Sequence, residues 1–153
     1  MKRCRTYLGI FGEMSKLMLI AGFASLLGPP LYAQDIAIRV LDGRNGRPIT
    51  DERVQVWVNG EKGRAADLPA DKQGIALLHL DDKPVRSIQI EANLYFDCRP
   101  FRKNSPRPAY STVEILQSGV VTENVCGKFR RESKAGELVF FVRPLHWWEV
   151  FRR

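Results

Sequence analysis

What most constrains the fold of this chain is a period of two in its apolar residues, repeated in short runs separated by turn residues. Ile36, Ile38 and Val40 alternate with Ala37 and Arg39, and the run ends in Asp42-Gly43-Arg44-Asn45-Gly46-Arg47-Pro48. Val54, Val56 and Val58 alternate with Gln55 and Trp57 before Asn59-Gly60, a dipeptide suited to a hairpin because both residues tolerate positive φ. Ile88, Ile90 and Ala92 alternate with Gln89 and Glu91, and Leu138, Phe140 and Val142 alternate with Val139 and Phe141 up to Pro144. Successive side chains of a strand point to opposite faces, so these runs predict strands with one face in a core. Ile75-Ala76-Leu77-Leu78-His79-Leu80 follows the turn Asp71-Lys72-Gln73-Gly74 and is apolar on both faces, which predicts a central strand. Further strands are expected around Tyr95 and Val120, whereas the small and polar residues 61–70 read as a connection.

One helix is expected, near 111–118. Ser111-Thr112-Val113-Glu114 is a capping box, in which the Ser111 hydroxyl accepts from the Glu114 N–H and the Glu114 carboxylate reaches back to the Ser111 N–H. Gly119 stands where a left-handed C-terminal cap is needed. Regularly spaced strands, tight turns and a single short helix predict an all-β chain folded as an antiparallel β-sandwich.

Residues 1–33 read as a secretory signal peptide. A basic start with Lys2, Arg3, Arg5 and Lys16 precedes the apolar run Leu17 to Leu27, which ends at Gly28-Pro29-Pro30 before Leu31-Tyr32-Ala33. A membrane-spanning helix needs about 20 apolar residues, and the prolines stop this run short of that. Export with cleavage after Ala33 is expected, which leaves a single domain over residues 34–153 in the periplasm or secreted medium. Met14-Ser15-Lys16 would begin a compact signal peptide by itself, so translation from Met14 is an alternative start. Cys4 precedes the apolar run and is no lipid-attachment cysteine.

The formal charge of +7 falls to about +4 once the leader is removed, too modest a surplus for nucleic-acid binding. The mature chain keeps Cys98 and Cys126, and an even cysteine count in an exported protein reads as one disulfide. Free thiols are the alternative, since spacing alone does not bring two Cα atoms within bonding range.

Three segments stand in a recurring order: Val40-Leu41-Asp42-Gly43-Arg44-Asn45-Gly46-Arg47-Pro48-Ile49, then Val54-Gln55-Val56-Trp57-Val58, then Asp71-Lys72-Gln73-Gly74-Ile75-Ala76-Leu77. Together they resemble a carboxypeptidase regulatory-like domain, over roughly residues 36–92. The resemblance implies a transthyretin-like (prealbumin-like) sandwich and a non-catalytic accessory or binding role, and it carries no catalytic residues across. Where that family often has Thr before the second turn Asp, this chain has Ala70. The remainder, with Tyr110-Ser111, Asn124-Val125-Cys126-Gly127 and Phe141-Val142-Arg143-Pro144, resembles uncharacterised secreted bacterial proteins that carry such a module.

The residues themselves give little sign of catalysis. His79 and His146 are the only histidines, and the sequence has no Gly-x-Ser-x-Gly elbow, His-Glu-x-x-His, phosphate-binding loop or dinucleotide turn. Asp67, Asp71, Asp81 and Asp82 lack the alternation of a calcium loop and read as solvated turn carboxylates, so no metal or cofactor is expected. Two segments stand out. Residues 99–108 carry Arg99, Arg102, Lys103 and Arg107 among three prolines, a stiff basic loop suited to an anionic polymer, the envelope surface or another extracytoplasmic protein. The end of the chain carries Trp147 and Trp148, a candidate aromatic surface for sugar stacking. The expected function is a non-catalytic extracytoplasmic binding or accessory domain. A carbohydrate-binding module is the first alternative, which exposure of Trp57, Trp147 and Trp148 would favour. A small hydrolase is the second, and it requires His79 exposed beside a carboxylate and a hydroxyl such as that of Ser87.

Overall fold

The computed structural model describes residues 35–60, 66–80, 84–100, 106–146 and 149, all within the unit Ala33–Arg153. The leader, Arg102, Lys103, Asp81, Asp82, Trp147 and Trp148 lie outside the described residues.

The described strands form two sheets. In the first, β1 (Asp35–Asp42) lies between β4 (Ile75–His79) and β9 (Glu137–Arg143), and β9 also pairs with β6 (Phe96–Asp97) and β8 (Val120–Val121). The second runs in the order β3 (Ala66–Pro69), β2 (Arg53–Val58), β5 (Ser87–Ala92), β7 (Tyr110–Ser111). The inward residues of both sheets meet in one apolar cluster. Ile36, Ile38, Val40, Leu138, Phe140 and Val142 come from the first sheet, Val54, Val56, Ile88 and Ile90 from the second, and Ile115 from the helix. Each such side chain contributes about 1.5–3 kcal/mol on burial, so the alternation read in the sequence is the driving force of the sandwich.

The described residues within 35–146 therefore form an all-β sandwich with one short helix. Antiparallel pairing holds throughout the second sheet, but the first is mixed: β9 runs parallel to β1, from Ala37↔Glu137 to Asp42↔Val142, and parallel to β8. Nothing in a strand's alternation reports the direction of its neighbour. The five clearly alternating or apolar runs all form strands, as do Phe96–Asp97 and Val120–Val121. Residues 66–69, read as a connection, form β3 instead, paired from Arg53↔Pro69 to Val56↔Ala66. A short edge strand with one inward side chain, Leu68, has no alternation to detect. Asn59 and Gly60 adopt positive φ as their types suggest, at 54° and 67°, and the next described strand begins at Ala66.

The helix α1 (Thr112–Ser118) starts at Ser111, whose hydroxyl accepts from the Glu114 N–H at 3.5 Å. The reciprocal half of the capping box does not form. Gly119 has the positive φ required of it, 75°, with an extended ψ of 165° rather than a left-handed helical one. β4 is an edge strand and not a central one. Among the described residues it pairs only with β1, and Leu77 on its outward face is 42% exposed.

β9 is the strand buried on both faces. Its outward side chains Val139 and Phe141 join Leu41 and Cys98 in a second apolar cluster, against which Cys126 and Phe129 pack. Residues 122–131 supply that cover. Thr122 and Val125 donate backbone hydrogen bonds to Val139 O and Cys98 O, and the Asn124 amide donates to Gly43 O and Phe129 O. The Cys98–Cys126 disulfide fastens it, with Cα atoms 5.3 Å apart. Gly46, at φ 74°, leaves the space into which Phe129 inserts, since a Cβ there would lie 2.2 Å from the ring.

Candidate functional site

The acidic residues that could have done chemistry are engaged in building turns. Asp42 accepts from the backbone and guanidinium of Arg44, and those hydrogen bonds, opposed by partial burial, hold its carboxyl below the usual carboxylate range. Asp71 accepts from the N–H groups of Gln73 and Ile75, closing the turn into β4. Glu52, fully buried, accepts from the N–H groups of Arg53, Asn93, Leu94 and Tyr95. It thus pins the turn after β5 to the start of β2. The sequence does not announce this role, because one carboxylate beside Asp51 carries no signature of three distant donors. Asp51 accepts from the Tyr95 hydroxyl at 2.7 Å, which pushes that phenol up to about 12. Glu137, also buried, pairs with Arg39 and lies 3.8 Å from Arg131.

His79 is exposed, and its Nδ1 lies 2.9 Å from an Asp35 carboxylate oxygen on the outer face of the first sheet. Ser87 is on the outer face of the second sheet, next to buried Ile88. The histidine and the hydroxyl weighed as a hydrolytic pair therefore stand on opposite sides of the sandwich. Among the described residues, no group of three His, Cys, Asp or Glu side chains is arranged to hold a metal ion.

Of the four basic-loop cations the described ones are Arg99 and Arg107, and both are engaged within the fold. Arg99 is only 8% exposed: its guanidinium pairs with Asp97, donates to Ile90 O at 2.7 Å and sits 5.1 Å from the centre of the Phe140 ring. Burial disfavours its charge, but Asp97 outweighs this and keeps it raised. Arg99 is thus a structural cation beneath the loop, a correction to its reading as part of an exposed binding surface. Sequence placed it among cations and prolines, and only the fold reveals that β6 turns it inward. Arg107 is exposed but paired, 2.5 Å from Glu91.

What the fold assembles instead is a flat polar face. Because Val54, Val56, Ile88 and Ile90 point into the core, Arg53, Gln55 and Trp57 of β2 and Ser87, Gln89 and Glu91 of β5 point away from it. The register sets Gln55 opposite Glu91 and Trp57 opposite Gln89. Arg107 lies across these strands. Its guanidinium stacks on the Trp57 ring at 4.4 Å, and its carbonyl accepts from the Gln89 amide at 3.0 Å. Arg53 reaches sideways to Asp67 on β3 at 2.8 Å. Elsewhere an open depression of about 330 Å³ lies beside β8, lined by Val121, Thr122, Asn124, Val125, Arg130 and Phe141. Arg130 there is bonded to the carbonyls of Gly127 and Phe129.

In comparisons with known proteins, no family model, no curated protein and no solved structure matches the chain.

Proposed function

We propose that the chain is a non-catalytic binding module of the carboxypeptidase regulatory-like, transthyretin-like type, exported with cleavage after Ala33 and working in the periplasm or outside the cell. The observation that carries this reading is the outer face of the second sheet. It brings one tryptophan and two amides of β2 and β5 together with an arginine held across those strands by a carboxylate. Binding sites commonly combine an aromatic surface with a few fixed polar groups, and Trp and Arg are enriched among the residues that dominate binding energy. The commitment of Asp42, Glu52 and Asp71 to turn hydrogen bonds supports the non-catalytic part of the reading.

Retention of the purified mature chain on insoluble cell-envelope material tests the proposal. The parent should be retained, and Trp57→Ala with Arg107→Ala should reduce retention at least tenfold. His79→Ala, on the opposite outer face, should leave it unchanged. Equal retention of all three proteins, or release of soluble products from the envelope material on incubation, would overturn the reading.

A further inference from the structure

We infer that the outer face of the second sheet binds an uncharged polysaccharide chain rather than an anionic polymer. The inference rests on the binding-module reading and names its ligand class.

The first argument is charge. Among the described residues, the cations and carboxylates of the face are paired with each other: Arg107 with Glu91 at 2.5 Å and Arg53 with Asp67 at 2.8 Å. An anionic ligand gains little from arginines already neutralised, and would have to approach Glu91 and Asp67 to reach them. A basic ligand meets the converse obstacle. A neutral ligand is repelled by none of the four.

The second argument is the kind of contact on offer. Gln55 sits between the two ion pairs and, among the described residues, its amide makes no hydrogen bond, so it presents a donor and an acceptor together. The Trp57 ring beside it offers an apolar surface, held in orientation by the Arg107 guanidinium stacked on it. A sugar ring has the matching pair of surfaces, with hydroxyls around its edge and C–H groups on its faces. From Arg53 to Trp57 the strand rises about 13 Å, so the face accommodates several consecutive units of a linear chain. A peptide strand would instead seek unpaired backbone at a sheet edge such as that of β3, and not this face, where β2 is paired with β3 over Arg53–Val56 and with β5 over Val54–Val58.

Affinity electrophoresis of the mature chain in gels containing a neutral polysaccharide (xylan, dextran or a β-glucan) or an anionic one (polygalacturonate or heparin) tests the inference. At least one neutral polymer should retard the protein, and retardation should persist at 0.5 M salt because no net charge is screened. Trp57→Ala should weaken it tenfold or more. Gln55→Ala, a milder change at a half-buried amide, should weaken it several-fold, which keeps the test informative if Trp57→Ala unfolds. Retardation by the anionic polymers alone, abolished by salt, would overturn the neutral-glycan inference while leaving a binding module. So would the absence of retardation in every gel if Trp57→Ala with Arg107→Ala still lost envelope retention. Absence of retardation together with undiminished retention of that variant would remove both readings.

Discussion

The two outer faces of the sandwich begin alike and end differently. β9 turns Val139 and Phe141 away from the inter-sheet core, and β2 turns Gln55 and Trp57 away from it. An apolar outward face needs cover, and the chain supplies it with residues 122–131, fixed through Cys126 to Cys98. The outward face of β2 is polar apart from one indole and is stable against water as it stands. One outer face is thus a second small core and the other is a half-exposed polar surface. On the proposed reading, stability and binding are carried on opposite sides of the molecule.

That division is broken most directly by truncating one aromatic on each side. Phe141, 1% exposed, should lose about 3–5 kcal/mol of folding stability on replacement by alanine, through lost transfer energy and the cavity left behind. Trp57→Ala should lose no more than about 1 kcal/mol, chiefly the contact with the Arg107 guanidinium. Urea denaturation of both variants measures the difference. Comparable losses would mean that Trp57 belongs to a packed layer and that the second sheet has no free face.

Removing the disulfide sharpens the same contrast. The bridge closes 28 residues of sequence separation, for which the chain-entropy account gives about 3–4 kcal/mol of stabilisation. In a Cys98→Ser, Cys126→Ser variant, hydrogen exchange should accelerate first at Thr122 and Val125, whose N–H groups tie the cover to Val139 O and Cys98 O. The amides of β2 and β5 should open only with global unfolding. Uniform acceleration across both sheets would show that the cover is not a separable layer.

The sequence displays the sandwich because strand alternation is a local property, visible whenever one face is buried. It also separates the two outer faces, since Val139 and Phe141 are apolar where Gln55 and Gln89 are not. What it hides is partnership. Nothing near Glu52 announces that its carboxylate will meet the N–H groups of residues 93–95, and nothing near Arg99 distinguishes it from Arg107. Both belong to the same proline-rich run, yet one is drawn under Asp97 and the other is laid over Trp57. The basic loop was legible as composition. Burial takes Arg99 out of it, and the candidate face comes from β2 and β5, whose polar outward residues read only as the solvent side of a strand.

The smallest effect concerns how the chain leaves the first sheet. Arg143, at the end of β9, stacks over the Phe96 ring at 3.9 Å and donates to both Glu149 carboxylate oxygens, at 2.7 and 2.8 Å, while the His146 N–H donates to one of them at 2.8 Å. The Arg143 guanidinium first, and the His146 N–H second, draw the Glu149 carboxyl down from 4.5 to about 2. A carboxyl depressed by folding contributes in full above its ordinary value, and the contribution is lost as pH falls through the folded one. Followed by NMR, the His146 amide should therefore hold its position from neutral pH to about pH 3 and move only as pH approaches 2. In Glu149→Gln it should sit at the displaced position at every pH. Global stability should change little between the two proteins, because an ion pair at the periphery of the fold contributes little to folding. A midpoint near 4.5 in the parent would mean that the pair is not held in solution and that residues 144–149 are not fastened to β9.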